Sequence, residues 1–230
     1  RQLIDEVQNQ TALNGRKHET DIKAEIRKVK DEWLSEWMPL LTSDEIPINP
    51  YRIIWDLMHS VDRSQTIVTH DSGHPRDQVI PFYETTTPRG YLGWGNSSQL
   101  GYGLGISMGA KLGMPDKFVV YITGDAGIGM GGMDIETASR HNIPILIIVF
   151  NNHVLSGYSK NYPIATKKYG FTNLYGQYAD LAKSLGAYSE RIEAPEQIIP
   201  GIDRAKKAMY EGKPALLEFM TKEENRLSRY

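Results

Sequence analysis

The 230-residue chain contains no cysteine, which excludes a disulfide framework, a thiolate metal site and a cysteine nucleophile. No apolar run approaches the ~20 residues that a membrane-spanning helix needs, and the first residues lack a signal-peptide pattern. An excess of either charge is also missing: 26 Lys and Arg against 28 Asp and Glu leave a formal net charge of −2. Because the basic residues are scattered and supply no large positive field, neither nucleic acid nor a membrane is expected as a partner. Internal repeats and low-complexity tracts are lacking too. A cytoplasmic location is the expectation, compatible with the missing cysteine.

The residues present fit one large globular domain with a fragment of a second: 40% of residues are hydrophobic and 23% charged. Residues 1–48 are charged and lack strand-like runs, and RQLIDEV reads as the end of a helix. Ile22, Ile26, Val29, Trp33 and Trp37 recur at three and four residues, the period of an amphipathic helix, here read as a linker. Asn49 before Pro50 predicts a capped helix running to about Val61. Strands and helices then alternate. Strands are predicted at 65–70, 117–123, 143–150, near 188–192 and at 214–221, and helices at 95–113, 134–142, 177–186 and 195–212. DSGHPRD is read as a polar turn, 151–174 as a long loop and KEENRLSR as a solvated end. This order predicts an α/β fold, a three-layer α/β/α sandwich with a mostly parallel sheet over 49–230, preceded by a helical linker in 1–48.

The chemistry is concentrated in GDAGIGMGG at 124–132, where Gly127, Gly129 and Gly132 make G-x-G-x-x-G between a strand and a helix. That position suits a phosphate ligand. A dinucleotide site (NAD or FAD) also needs an acid at the end of the next strand, for the ribose hydroxyls. Here that strand ends in the amides Asn151 and Asn152. An alternative pairing fits the residues better. Asp125 and Asn152 end neighbouring parallel strands, so a carboxylate and an amide oxygen reach the same sheet edge. With a main-chain carbonyl, diphosphate oxygens and water they supply the oxygen ligands that Mg²⁺ prefers. On its own, Asp125 would be read as the cap of the helix after it.

GDA followed by NN resembles the signature of the thiamine diphosphate-dependent enzymes, with the acetolactate synthase-like branch the nearest match; Ala126 stands where the family commonly has glycine. The resemblance implies that Asp125 and Asn152 ligate Mg²⁺ through side chains and Val154 through its carbonyl. Gly124, Ala126 and Gly127 would then approach the diphosphate. VTHDSGHPRDQVIPFY lies where the family has its first phosphate-binding loop, which places Gly73 and His74 near the diphosphate, with His70 as a further pocket candidate. GNSSQLGYGLGISMGA resembles the segment that cradles the aminopyrimidine. There Leu100 would be the apolar wedge, in place of the commoner Met or Ile, and the Ser98 carbonyl would accept from the exocyclic amine.

The resemblance implies a decarboxylase or carboligase, a lyase or transferase working through a C2 ylid on a small-molecule substrate of the 2-oxo acid or acyl-CoA type. The activating glutamate is expected outside this chain, on a pyrimidine-binding domain of the same or another chain, in a homodimer or homotetramer. FAD is left open. Residues 1–48 resemble the tail of a preceding domain and a linker, which together with Arg1 as first residue predicts a C-terminal part of a longer polypeptide. The alternatives are a natural small subunit of a two-chain 2-oxo acid decarboxylase and an NAD- or FAD-binding Rossmann module. Acetolactate synthases carry a tryptophan shortly after the asparagine pair; NNHVLSGYSKNYP has none, so the substrate stays open. His153 and Tyr158 are placed beside the site without a role.

Overall fold

The computed structural model describes residues 1–14, 21–93 and 99–228. Two compact units separate in it, Arg1–Pro39 and Leu40–Tyr230. The first contains α1 (Gln2–Asn14) and most of α2 (Ile22–Leu41). The predicted stripe runs along α2. Ile22, Ile26 and Val29 on it are exposed, and the Trp33 and Trp37 rings approach to 6.3 Å between centroids.

The second unit starts with α3 (Pro50–Ser60), whose cap is the predicted one: Asn49 Oδ1 accepts from Tyr51 N at 3.1 Å, with proline in the first turn. It continues through β1 (Thr66–His70), α4 (His74–Phe82), β2 (Tyr91–Leu92), α5 (Gly103–Gly113) and β3 (Phe118–Gly124). Next come α6 (Asp125–Gly131), α7 (Ile135–Arg140), β4 (Leu146–Asn151), α8 (Tyr158–Asn161) and α9 (Pro163–Tyr169). The unit ends with α10 (Tyr178–Ser184), β5 (Tyr188–Ile192), α11 (Ile198–Tyr210) and β6 (Ala215–Met220). None of these helices is long and apolar enough to cross a membrane, among the described residues.

All six strands form one sheet in the order β2-β1-β3-β4-β6-β5, and every pair is parallel. β3 and β4 are the apolar runs expected of strands covered on both faces. Alternation sends Val119, Tyr121, Ile147, Val149 and Leu216 to the face packed by α5, α6, α7 and α10. The intervening Val120, Ile122, Ile148 and Leu217 are fully buried on the other face, which α3, α4 and α11 cover. The three-layer expectation therefore holds, and the sheet is wholly parallel.

The structure corrects four local readings. DSGHPRD is not only a turn, because α4 begins at its His74, with Gly73 at φ 82° as the N-cap residue and Pro75 in the first turn. The glycine stretch is itself helical from Asp125, ahead of the predicted start at 134. The loop 151–174 contains α8 and α9. The C-terminal segment is held to the domain: Tyr51 Oη donates to Arg226 O at 2.5 Å, and Gln78 Nε2 and Asn49 Nδ2 donate to Glu224 at 3.3 Å. Lys222 Nζ pairs with Glu45 at 2.9 Å, and Gly157 N donates to Glu223 Oε1 at 3.1 Å. Charged composition pointed to solvation, but a buried phenol and the main-chain groups it meets required partners.

Removing residues 223–230 is expected to lower the thermal midpoint, and Tyr51→Phe to cost about 1 kcal/mol, or roughly 2–4 °C for a chain of this size. Melting curves unchanged by both alterations would restore the solvated-end reading.

Candidate functional site

The strand order reverses between β1 and β3: the chain steps from β1 outward to β2, then returns across β1 to β3. In open parallel sheets the crevice at the carboxyl ends of such a pair is where ligands bind. The segments that leave β1, β3 and β4 on that edge contain Gly73 and His74, Gly124 to Gly127, and Asn152 to Val154. One cleft is lined by Gly73, His74, Leu100, Gly124, Asp125, Ala126, Gly127, Asn152 and Val154. Nine of the ten residues nominated from sequence thus meet in one place. The tenth, Ser98, lies outside the described residues. Tyr158 also lines the cleft, whereas His70, fully buried at the end of β1, and His153 are not in its lining.

Asp71 is the residue that sequence reasoning missed. It comes directly after β1 and is fully buried. Its Oδ2 accepts from Gly101 N at 2.7 Å, Tyr121 Oη at 2.8 Å and Thr123 Oγ1 at 3.1 Å, and its Oδ1 from Ser72 N at 3.1 Å. One carboxylate therefore ties the segment after β1 to β3 and to the turn before α5. The helix α6 passes close by, and a Cβ on Gly127 would stand 2.2 Å from both Asp71 Oδ2 and Thr123 Oγ1. Gly101, at φ 83°, is packed against Gly131 in the same way. Glycine costs a helix about 1 kcal/mol relative to alanine, and α6 holds three glycines in seven residues. At Gly127 and Gly131 the cost is offset by close approach, the condition that only a residue without Cβ meets.

Asp125 is buried in a different way. Its Oδ1 accepts from Ala126 N at 2.8 Å, and its Oδ2 is enclosed without a hydrogen-bond partner. Burial pushes this carboxyl above the ordinary carboxylate range, and the nearby main-chain N–H groups of Ala126, His153 and Asn152 offset part of the shift. His74 is likewise desolvated, which lowers its pKa and keeps the imidazole neutral at pH 7, against the nearby charges of Asp77 and Glu223.

The asparagine pair is set by a tight turn. Asn151 Oδ1 accepts from His153 N at 3.1 Å and Asn152 Oδ1 from Val154 N at 3.0 Å, with His153 at φ 59°. A left-handed backbone at a non-glycine residue is a strain that surrounding structure has to impose. The strand-like contact of Val154 with Asn173, flanked by Leu155 N to Thr172 O and Leu174 N to His153 O at 2.8 Å each, imposes it. That pattern leaves the Val154 carbonyl unused by the neighbouring segment.

No group of three His, Cys, Asp or Glu side chains able to hold a metal occurs among the described residues. The cleft lining offers instead a carboxylate with an unpaired oxygen, an amide oxygen and, at Val154, a main-chain carbonyl that the 172–174 segment does not use, an all-oxygen set suited to a hard divalent cation. The donor set and the unpaired Asp125 oxygen fit a metal diphosphate.

Comparison with known proteins points the same way. The family described as thiamine pyrophosphate enzyme, C-terminal TPP binding domain, matches residues 71–219. A probable acetolactate synthase large subunit of Methanococcus aeolicus is 33% identical over 189 residues, 79% of this chain and 31% of that protein. The 2-hydroxyacyl-CoA lyase of Arabidopsis thaliana is 30% identical over 172 residues, covering 69% of this chain and 29% of the lyase. Sulfoacetaldehyde acetyltransferase of Alcaligenes xylosoxydans xylosoxydans is 27% identical over 176 residues, 75% of this chain and 29% of the transferase. The chain spans about a third of the length of the curated relatives it matches.

Two glycines of α6 are expected to behave oppositely. Gly127→Ala drives a methyl into Asp71 and is expected to cost about 1–3 kcal/mol, whereas Gly129, open on its Cβ side, is expected to gain roughly 0.5–1 kcal/mol as alanine. Denaturant unfolding that ranks the two variants the same way would contradict this packing of α6 against Asp71. Asp125→Asn tests the buried charge. The folded carboxyl has the raised pKa, so above the ordinary 3.8 the unfolded chain loses its proton first and stability falls as pH rises. The asparagine variant is therefore expected to be more stable than the wild type at pH 7 without ligand, and to lose this advantage near pH 3.

Proposed function

The chain belongs to the thiamine pyrophosphate enzymes, as their C-terminal TPP-binding domain, and from this premise we propose that its cleft holds thiamine diphosphate through Mg²⁺. The observation that carries the reading is the buried, unpartnered Oδ2 of Asp125 in a cleft wall shared with Asn152 and Val154. A group that is expensive to bury alone becomes favourable once a cation meets it.

In this reading Asp125 and Asn152 bind the metal through side-chain oxygens and Val154 through its carbonyl. Gly73, His74, Gly124, Ala126 and Gly127 line the diphosphate end. Ala126 N–H holds the Asp125 carboxylate in place, and Gly127 N–H, one of the first-turn donors of α6 without an intrahelical partner, faces phosphate oxygen. Leu100 supports the cofactor from its apolar side, and the Ser98 carbonyl takes the aminopyrimidine amine. When bound, thiamine diphosphate supplies a thiazolium carbon that adds to a carbonyl and stores the electron pair released when a neighbouring C–C bond breaks.

The enzyme of which this chain is a part acts as a lyase or transferase on a 2-oxo acid or an acyl-CoA type substrate. Support comes from the names of the relatives, which span acetolactate synthase, 2-hydroxyacyl-CoA lyase and sulfoacetaldehyde acetyltransferase. Residues 1–48 serve as the tail of a preceding domain and linker, and 49–230 as the diphosphate-binding domain. A pyrimidine-binding domain, from the same or another chain of a homodimer or homotetramer, completes the site. Exposed Tyr102, Leu112, Met130 and Met133 on and beside α5 and α6 give such a partner apolar surface to cover.

Calorimetric titration of the chain with thiamine diphosphate is expected to give saturable binding in Mg²⁺ that disappears with a chelator and in Asp125→Ala. Binding that ignores both the chelator and the substitution would sink the metal assignment. Binding of NAD in place of thiamine diphosphate would revive the dinucleotide alternative.

A further inference from the structure

A second buried carboxylate stands behind the asparagine pair. Glu218, in the middle of β6, has no solvent exposure. It accepts from Asn151 Nδ2 at 2.7 Å and from Ala179 N, at the start of α10, at 3.0 Å. Arg191 on β5 approaches it with Nε and Nη2, each at 3.2 Å. Four donors from three elements therefore converge on one side chain that the cofactor chemistry does not use. An isolated carboxylate there would be too costly to keep ionised, and this donor set is what makes its burial tolerable.

The consequence runs outward through Asn151. Its Nδ2 is held by Glu218 and by Gly176 O at 3.4 Å, which fixes the plane of the amide. The opposite end of that plane, Oδ1, is the acceptor for His153 N. His153 is the left-handed residue of the turn, and the turn carries Asn152 and Val154 into the cleft. Arg191, still 33% exposed, anchors the far end of the chain of contacts from β5. We propose that Glu218 is a positioning residue: through Asn151 it holds the His153 amide, and with it the strained turn that presents Asn152 and the Val154 carbonyl. Asn151 is thus the inward-facing half of the asparagine pair and Asn152 the outward-facing half.

The geometric part of this inference concerns the chain without ligand, and its functional weight rests on the thiamine diphosphate reading. Amide hydrogen exchange of the ligand-free chain tests the first part. In Glu218→Gln, which keeps the shape but removes the charge, the His153 and Val154 amides are expected to exchange at least about tenfold faster than in wild type. Amides in β1 and β3 are expected to stay unchanged, as they should throughout in the control Glu190→Gln, whose carboxylate pairs with Arg204 on the surface. Unaltered protection at His153 overturns the inference, and so does an equal acceleration in β1 and β3, which would mean a general loss of stability. Affinity for Mg²⁺ with thiamine diphosphate is expected to fall about tenfold, or 1.4 kcal/mol, in Glu218→Gln. If wild type binds no thiamine diphosphate, the functional reading fails and the exchange result still decides the role of Glu218. Unchanged affinity in the variant overturns that role.

Discussion

The Asp71 carboxylate is the contact on which the geometry of the cleft depends. It sits where the topology is least self-supporting, at the point where the chain reverses across β1. The parallel ladder between β1 and β3 ends at His70 and Ile122, and its last main-chain bond runs from Asp71 N to Ile122 O at 2.8 Å, so the side chain of Asp71 ties down the segments that depart there. Asp71 does so by accepting from the Gly101 turn, from Tyr121 and Thr123 on β3, and from Ser72 beside it. Charge-assisted bonds of this kind are about twice as strong as neutral ones, and the glycine-rich α6 packs directly against the network they form. The glycines are a consequence of the carboxylate: helix and turn approach it so closely that a side chain at Gly127 would displace it.

The two aspartates at the ends of β1 and β3 illustrate opposite uses of burial. Asp71 is saturated with donors, and its burial rigidifies the fold. Asp125 lies at the neighbouring strand end, yet one of its oxygens meets nothing. Native proteins pair almost all buried polar atoms, so an unmet one in a cleft wall is a cost retained for some reason. The His153 turn is a second cost of the same sort, strain held in place by contacts with 172–174. The first lies in the cleft wall, and the second lies between two residues of that wall, Asn152 and Val154. Stability given up at one spot and secured by neighbouring networks is the pattern expected of a binding site.

How much of this could be read from sequence depends on which signals are local. The alternation of apolar runs with helical periods is local, and it yielded the layers, the mostly parallel sheet and five of its six strands; the two-residue edge strand β2 is too short to carry a period. The spacing from Asp125 to Asn152 was legible because parallel strands convert a separation of one crossover into adjacency. Asp71 was not legible, since its partners Gly101, Tyr121 and Thr123 are 30 to 52 positions away and an Asp after a strand ordinarily signals a turn. The helical glycine stretch was missed for a related reason: its propensity argues against a helix, and tertiary approach overrides propensity. The start of α4 was hidden by a glycine with positive φ, which opens a helix here and makes a turn elsewhere. The C-terminal segment was misread because its charges were visible and its main-chain partners were not.

The composition of the cleft also limits what this chain contributes. Among the described residues Asp125 is its only carboxylate, and His74 is held neutral by burial. Lys222, at its edge, is engaged by Glu45 and Glu224. Gly124, Ala126, Gly127, Leu100 and Phe150 give part of it a small-residue and apolar lining, beside the uncharged polar Ser72, Gln78, Ser156 and Thr221. Such a surface can grip a charged, metal-bearing group at one end and exclude water along its length, but it offers no carboxylate spare for proton transfer, since the one present is the proposed metal ligand. Met130, in the glycine-bearing helix, and Met133, just after it, are apolar and exposed. On the proposed reading, holding the diphosphate and supplying the acid are tasks for different surfaces, and the exposed apolar residues of α5 and α6 are the candidate place for the second to dock.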